Sequence, residues 1–136
     1  MPRRCVRRGS LFGPLSELSV GVDIIEWKKA KAFYQMHHEK LSLFLHAAEM
    51  RFVEKERRPY EALAMIFAAK EAVFKALGGS WMGPEGFRRI KIRPISFKTF
   101  SSHCPEGRKL QITFQKSRHH VVACCLPADR AGSPAL

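Results

Sequence analysis

The sequence lacks the long hydrophobic run that a membrane-spanning helix requires. No apolar stretch within its 136 residues approaches the roughly 18 residues needed to cross a bilayer. Cysteines are few, and neither they nor the histidines show the paired spacing of a zinc site. The cysteines are Cys5, Cys104, Cys124 and Cys125. These absences argue against a membrane protein and against a zinc module, and they predict reduced thiols in a cytoplasmic protein.

Acidic residues are also scarce. The chain has 12 Asp and Glu against 24 Lys and Arg, so its formal net charge is +12 at pH 7. Such an excess of positive charge favours an acidic partner, which could be a nucleic acid, a phosphorylated cofactor or an acidic protein. Only Trp27 and Trp81 and a scatter of Phe accompany the basic residues, and no RNA- or DNA-binding motif is present. A basic nucleic-acid-binding module is therefore kept as an alternative hypothesis.

The first 17 residues differ in composition from the rest, because no acidic residue precedes Glu17. Four arginines crowd this stretch, and Gly9, Gly13 and Pro14 argue against a continuous helix. It lacks the apolar region of a secretory signal, although an Arg-rich organelle transit peptide is a second interpretation. We expect 1–17 to be a disordered basic extension, 18–126 to form one domain and 127–136 to be a flexible tail.

The stretch Leu18–Glu26 predicts a β-strand. Its apolar residues alternate along the chain, which predicts one face directed toward a core. The residues of that face are Leu18, Val20, Val22 and Ile24. Asp23 then lies on the opposite face, and because aspartate is depleted in strands its presence there requires a reason.

The stretch Phe67–Leu77 predicts the end of a helix, with Gly78-Gly79 as the stop signal just beyond it. Glu71 and Lys75 follow Phe67 at four-residue intervals, so they project from the side of the helix that carries apolar residues. The simplest interpretation is an i,i+4 ion pair between Glu71 and Lys75.

A second interpretation links the helix to the strand. Asp23 and Glu71 could converge on one hard divalent cation. Proteins usually hold Mg²⁺ through one or two carboxylates, while water and substrate phosphates complete its shell.

Two motifs together resemble the holo-acyl-carrier-protein synthase family of small 4′-phosphopantetheinyl transferases. The motifs are Gly21-Val-Asp-Ile-Ile-Glu26 and Phe67-Ala-Ala-Lys-Glu-Ala-Val-Phe-Lys-Ala-Leu-Gly78. Either motif alone is common, but their order and spacing both match the family. The resemblance covers roughly residues 18–126.

The resemblance implies transfer of 4′-phosphopantetheine from coenzyme A to a serine of an acidic acyl carrier protein in fatty acid biosynthesis. The reaction would depend on Mg²⁺ and release adenosine 3′,5′-bisphosphate. It implies that Asp23 and Glu71 hold the metal and that Lys75 pairs with the phosphate under attack. Glu71, or a water that it orients, would take the serine proton. The family also implies a homotrimer with its sites at the subunit junctions.

Further roles follow from the resemblance for basic and glycine positions. Lys29 aligns with a residue that grips the carrier protein, and Arg57 and Arg58 align with residues that contact the 3′-phosphate of coenzyme A. The residues alone indicate only a solvated basic surface at these positions. Gly78-Gly79 would let the coenzyme approach the backbone closely, although a helix cap explains them equally well.

The sequence departs from the family pattern at three places. Ile66 replaces an arginine that is common before the Phe-Ala-Ala-Lys-Glu run, and Lys116 replaces a common histidine. The segment Lys98–Lys109 lacks the usual Gly-Lys-Pro turn. These departures leave open a family member that binds coenzyme A without catalysing transfer.

The hydrophobic periodicity predicts an α+β domain in which three N-terminal helices pack on one face of a largely antiparallel sheet. The helices are expected at 26–38, 47–58 and 60–77, with a short apolar segment at 41–45 between the first two. Strands are expected after them at 87–92, 109–115 and 119–126.

Overall fold

The fold is described by a computed structural model for residues 20–78, 83–95, 98–103 and 109–128. Strand β1 (Gly21–Glu26) leads into helix α1 (Trp27–His37), a 3-10 helix (His38–Leu43), α2 (Ala47–Lys55), α3 (Pro59–Ala76) and α4 (Gly83–Arg89). Strands β2 (Ile92–Pro94), β3 (Thr99–His103), β4 (Lys109–Lys116) and β5 (His120–Pro127) follow. The expected extension 1–17 lies outside the described residues, as does nearly all of the expected tail.

The strands form one five-stranded sheet in the order β1-β5-β4-β3-β2, and every neighbouring pair is antiparallel. The helices cover one face of this sheet. In β5, for example, Val121, Ala123 and Cys125 are buried on the helical side, whereas Cys124 is only partly buried. Both cysteines are free thiols. The predicted α+β architecture is confirmed, and no helix in the described part of the chain is long and apolar enough to cross a bilayer.

Helix α3 is the centre of the core. Pro59 occupies its first turn, where a missing N–H costs nothing, and Gly78 follows its end with a φ of 72° that favours glycine. The helix is apolar on nearly all sides, and 12 of its 18 residues are buried. The prediction of a long third helix is confirmed, whereas α2 ends at Lys55, earlier than expected.

Strand β1 lies directly against the backbone of α3. A Cβ built on Gly21 would stand 1.7 Å from the carbonyl oxygen of Ala72, so only glycine fits at this position. The small side chains of Ala72 and Ala76 permit the approach on the helix side. This contact determines which face of β1 is buried.

The prediction for the two faces of β1 is therefore wrong. Val20, Val22 and Ile24 are 51%, 50% and 57% exposed, although their alternation predicted a core-facing stripe. Gly21 is buried instead, and Asp23 shares its side of the strand, facing the helices. Because only Gly21 fits against α3, the larger residues must point to the other face of the sheet, which the helices leave uncovered.

The prediction of a strand at 87–92 is also wrong. Helix α4 continues to Arg89, and only Ile92 at the end of that stretch enters a strand. The ring of Phe87 packs on that of Phe67 with 5.4 Å between centroids, a tertiary contact that overrides the local preference. Strand β3 was not predicted; its buried Phe100 packs against Phe114 at 4.6 Å between ring centroids.

A buried ion pair fixes the opposite side of α3. Lys70 Nζ lies 2.9 Å from Glu49 Oε1, and the two side chains are 0% and 1% exposed. Lys70 also donates to the carbonyl oxygens of Phe44 at 3.1 Å and Phe87 at 3.0 Å. All three ammonium protons therefore have acceptors, as a buried charge requires.

Glu49 is equally well satisfied. Its carboxylate accepts hydrogen bonds from the backbone N–H of His46 at 2.8 Å and of Ile92 at 2.7 Å. The Lys70–Glu49 pair therefore ties α2, α3, α4 and β2 together with the segment that follows the 3-10 helix. Sequence reasoning assigned Lys70 no role, although a lysine in an otherwise apolar helix, directly after Ala68-Ala69, signals a buried, paired charge.

We predict that Lys70→Met destabilises the protein by about 3–5 kcal/mol, because Glu49 is left as an uncompensated buried charge. The double variant Lys70→Met/Glu49→Leu should recover part of this loss, since it removes both charges. Urea unfolding measures both effects. Lys55→Met, which changes an exposed lysine, is the control, and a loss below about 1 kcal/mol in Lys70→Met would contradict the analysis.

Candidate active site

Asp23 and Lys75 meet where β1 crosses α3. Lys75 Nζ donates to Asp23 Oδ1 at 3.0 Å and approaches the carbonyl oxygen of Val22 at 3.3 Å. The Asp23 side chain is 15% exposed, whereas that of Lys75 is 53% exposed. The carboxylate is therefore held in a fixed, half-buried place, while the ammonium group reaches it from solvent.

Glu71 lies one helical turn before Lys75 on α3 and is half-buried. Burial raises the pKa of its carboxyl group, and the negative charge of Asp23 raises it further. Lys75 acts in the opposite direction. The three charged groups thus share one site. The simplest interpretation of the sequence paired Lys75 with its helical neighbour Glu71, but Lys75 bonds to Asp23 of β1 instead.

The donor set of this site suits a hard cation. Asp23 and Glu71 offer only carboxylate oxygens, which are the ligands that Mg²⁺ prefers. Within the described residues, no three His, Cys, Asp or Glu side chains group to enclose a metal ion. A cation held here would therefore need water or substrate oxygens to complete its shell, as at phosphate-transfer sites.

A largely apolar cavity of about 440 Å³ is lined by neighbours of the two carboxylates in sequence, although not by Asp23 or Glu71 themselves. Ile25, two residues after Asp23, and Phe67, one turn before Glu71, are part of its wall. The remaining lining residues are Ile24, Glu26, Lys29, Ala30, Phe33 and His120. Lys29 is exposed and brings a positive charge to the wall of this cavity.

The basic residues Arg57 and Arg58 lie at the start of α3, where both are exposed. Arg58 forms an ion pair with Glu61 at 3.1 Å. Together with Lys116, from the end of β4, they line a second cavity of about 350 Å³. The structure thus places Lys116 at the same cavity as the two arginines. Sequence reasoning had noted Lys116 only as a departure from the family pattern.

Two other predicted positions have simpler surroundings. Ile66, which stands where the family commonly has arginine, is 0% exposed in the core and does not line the cavity of Arg57 and Arg58. Gly78 caps α3 with positive φ and open space around it, so the cap interpretation is confirmed for this residue. Gly79 lies outside the described residues.

The two charged groups of residues are far apart within one chain. Arg58 and Glu71 are 13 positions apart in sequence along α3. At 1.5 Å per residue, this separation corresponds to roughly 20 Å along the helix axis. The fold brings Asp23, Glu71 and Lys75 together, but it does not bring Arg57 and Arg58 to them.

Comparisons with known proteins match this chain over most of its length. The sequence model of the 4′-phosphopantetheinyl transferase superfamily matches residues 19–125. The chain is 34% identical over 113 residues to the holo-[acyl-carrier-protein] synthase of Chloroherpeton thalassium, a match that covers 78% of this chain and 93% of that protein. It is 28% identical over 116 residues to the synthase of the same name from Chlorobium phaeovibrioides, covering 80% and 93%.

Solved structures share the fold. The holo-[acyl-carrier-protein] synthase of Neisseria meningitidis superposes with a TM-score of 0.59 at 21% identity, covering 79% of this chain and 94% of that chain. The Bacillus anthracis synthase, solved in complex with CoA (3′,5′-ADP), gives a TM-score of 0.56 at 24% identity, covering 79% and 93%.

The raised pKa of Glu71 predicts a pH-dependent effect on stability. A group whose pKa is higher in the folded than in the unfolded state stabilises the fold fully when the pH is below its ordinary pKa, here 4.5. This contribution is lost as the pH rises through the pKa of the folded state. Ionised Glu71 therefore destabilises the metal-free protein at neutral pH.

Glu71→Gln should consequently melt at a higher temperature than the wild type at about pH 8, and the two should converge below about pH 4. Thermal melting in chelator-containing buffer measures this difference. A gap in melting temperature that stays constant across the pH range would contradict it.

Proposed function

Because the chain belongs to the 4′-phosphopantetheinyl transferase superfamily and is an enzyme of the holo-[acyl-carrier-protein] synthase type, we propose how its site performs this transfer. The donor is coenzyme A and the acceptor is a serine hydroxyl of an acyl carrier protein. The serine oxygen forms a bond to the phosphorus that carries pantetheine, and the bond to the second phosphate breaks, releasing adenosine 3′,5′-bisphosphate. The clustering of Asp23, Glu71 and Lys75 carries this proposal.

Asp23 and Glu71 are the residues that would hold Mg²⁺. When bound, the cation neutralises charge on the pyrophosphate and orients it for displacement. Lys75, exposed and flexible, pairs with the phosphate under attack through a charge-assisted hydrogen bond. Glu71 is placed to take the serine proton, directly or through a water molecule that it orients.

The cavity of Arg57, Arg58 and Lys116 is proposed to receive the 3′-phosphate of coenzyme A. Arg57, Arg58 and Lys116 offer three cations to a doubly charged phosphate monoester, which would compete with Glu61 for Arg58 in a cavity that Glu56 also lines. Lys116 would supply the positive charge at the position where the family commonly has histidine. The departure at this position is thus compatible with an active enzyme.

The separation between the two sites supports a homotrimer with shared active sites. The 3′-phosphate and the pyrophosphate of coenzyme A are attached to the same ribose, whereas Arg58 and Glu71 of one chain are roughly 20 Å apart along α3. One coenzyme molecule would therefore contact Arg58 of one copy and Glu71 of another. The exposed Val20, Val22 and Ile24 offer an apolar sheet face for contact between copies.

The acidic carrier protein is proposed to dock on the exposed face of α1. Lys28, Lys29 and Lys31 lie on this face, and positive charge there attracts an acidic partner over long range. Lys29 also lines the cavity whose wall includes Phe67, one helical turn before Glu71, so a carrier held there is proposed to present its serine to the carboxylates. We propose a cytoplasmic role in fatty acid biosynthesis for this transfer.

The test is the mass of an apo carrier protein incubated with the enzyme, coenzyme A and Mg²⁺. We predict that Asp23→Asn and Glu71→Gln each lower the transfer rate by about 100-fold or more, because the pyrophosphate loses its charge stabilisation. Glu39→Gln, which neutralises an exposed carboxylate on the 3-10 helix, is the matched control. Near-normal transfer by Asp23→Asn, or by the wild type in excess chelator, would refute the metal site.

Shared sites are tested by mixing subunits. Arg57→Ala/Arg58→Ala and Glu71→Gln should each be nearly inactive alone. When the two variants are co-expressed in equal amounts and assemble at random, about a quarter of all sites should regain activity. At these sites an intact Glu71 meets intact arginines from the neighbouring copy. Transfer by the mixed protein that only equals the sum of the two separate variants would show that each chain uses its own residues.

A further inference from the structure

The carboxylate of Asp23 already has a cationic partner. Lys75 Nζ lies 3.0 Å from Asp23 Oδ1 and 3.3 Å from the carbonyl oxygen of Val22. Two acceptors from β1 thus hold the ammonium group, although more than half of the Lys75 side chain is exposed. Among the described residues, Glu71 makes no comparable side-chain hydrogen bond.

This ion pair conflicts with cation binding at the same carboxylate. A hard cation coordinates carboxylate oxygens directly, at a distance shorter than a hydrogen bond. With Lys75 against Oδ1, two positive charges would share one carboxylate at close range, where their repulsion is strong. Lys75 must therefore leave Asp23, or share it at a cost in free energy, when a cation binds.

Lys75 can leave with little strain. It is in the last turn of α3, and 53% of its long, flexible side chain is exposed to solvent. A phosphate group offers the ammonium stronger acceptors than a single carboxylate oxygen and a backbone carbonyl. The anionic part of the donor substrate is therefore able to draw Lys75 away from Asp23.

We propose that Lys75 regulates access of the cation to the site: it occupies Asp23 in the substrate-free enzyme and weakens cation binding there, and substrate phosphate releases Asp23 by taking Lys75. This inference rests on the proposed function for the nature of the cation and the phosphate. It gives Lys75 a role before the chemical step, in addition to its proposed contact with the reacting phosphate.

The proposal makes cation and phosphate binding cooperative. Each ligand should raise the affinity for the other by the same factor, as thermodynamic linkage requires. Part of this coupling arises because phosphate oxygens coordinate the cation directly. The part that depends on Lys75 is separable, because it should disappear when the ammonium group is removed.

The experiment is a titration of the full chain with Mg²⁺ by calorimetry, and with Mn²⁺ by electron paramagnetic resonance, without coenzyme A and at about pH 8. Lys75→Met should bind both cations more tightly than the wild type, by about two- to tenfold, because the competing ammonium is absent. Lys55→Met is the control: it also removes one positive charge from an exposed lysine, but from the end of α2 and not from the site. Its cation affinity should match the wild type.

Two further variants test the mechanism. Asp23→Asn/Lys75→Met should lose the gain in affinity, because the gain depends on the freed carboxylate. Lys75→Arg should keep the low wild-type affinity, because guanidinium can also pair with Asp23. With adenosine 3′,5′-bisphosphate or inorganic pyrophosphate present, cation affinity should rise by a larger factor in the wild type than in Lys75→Met.

Cation binding by Lys75→Met that is no tighter than by the wild type, including no measurable binding by either, would overturn the inference. An equal gain in Lys55→Met would also overturn it, since net charge alone would then explain the effect. The transfer assay separates this result from the proposed function. Active transfer without a gain in Lys75→Met refutes only the role of Lys75, whereas a gain without transfer by the wild type refutes only the proposed reaction.

Discussion

The approach of β1 to α3 at Gly21 is the contact on which the site depends. Because the backbone of the strand lies against the carbonyl of Ala72, only the face of the strand that carries Gly21 can pack on the helix. This orientation turns Asp23 toward Lys75 and Glu71. It also turns Val22 and Ile24 outward. One steric constraint therefore places the charged site on one face of the sheet and an apolar surface on the other.

The opposite side of α3 is anchored by charge. Lys70 and Glu71 are consecutive and point about 100° apart around the helix axis. Lys70 enters the core to meet Glu49, while Glu71 points toward Asp23. The rotation of α3 about its own axis is thereby fixed on two sides, by a close backbone contact and by a buried ion pair. Such a scaffold holds catalytic groups more rigidly than a loop would.

The single chain holds the parts of the site without assembling them. Its carboxylates and its basic cavity are at different ends of α3, and one face of its sheet exposes apolar side chains. An exposed apolar face is costly for a monomer, and the proposed assembly from several copies would account for both features. The proposed role of Lys75 fits the same view of a site that is completed on binding, since its ion pair neutralises Asp23 in the substrate-free chain.

The sequence by itself determined the family, the three main helices, β4 and β5, and the candidate residues Asp23, Glu71 and Lys75, since motif spacing and periodicity are local properties. Only the tertiary structure decided which face of β1 is buried, because alternation does not tell which face a helix will cover. The pairing of Lys75 with Asp23 and of Lys70 with Glu49 was likewise decided there, as was the helical end of α4 at Phe87. These features depend on contacts between segments distant in sequence, which local patterns do not contain.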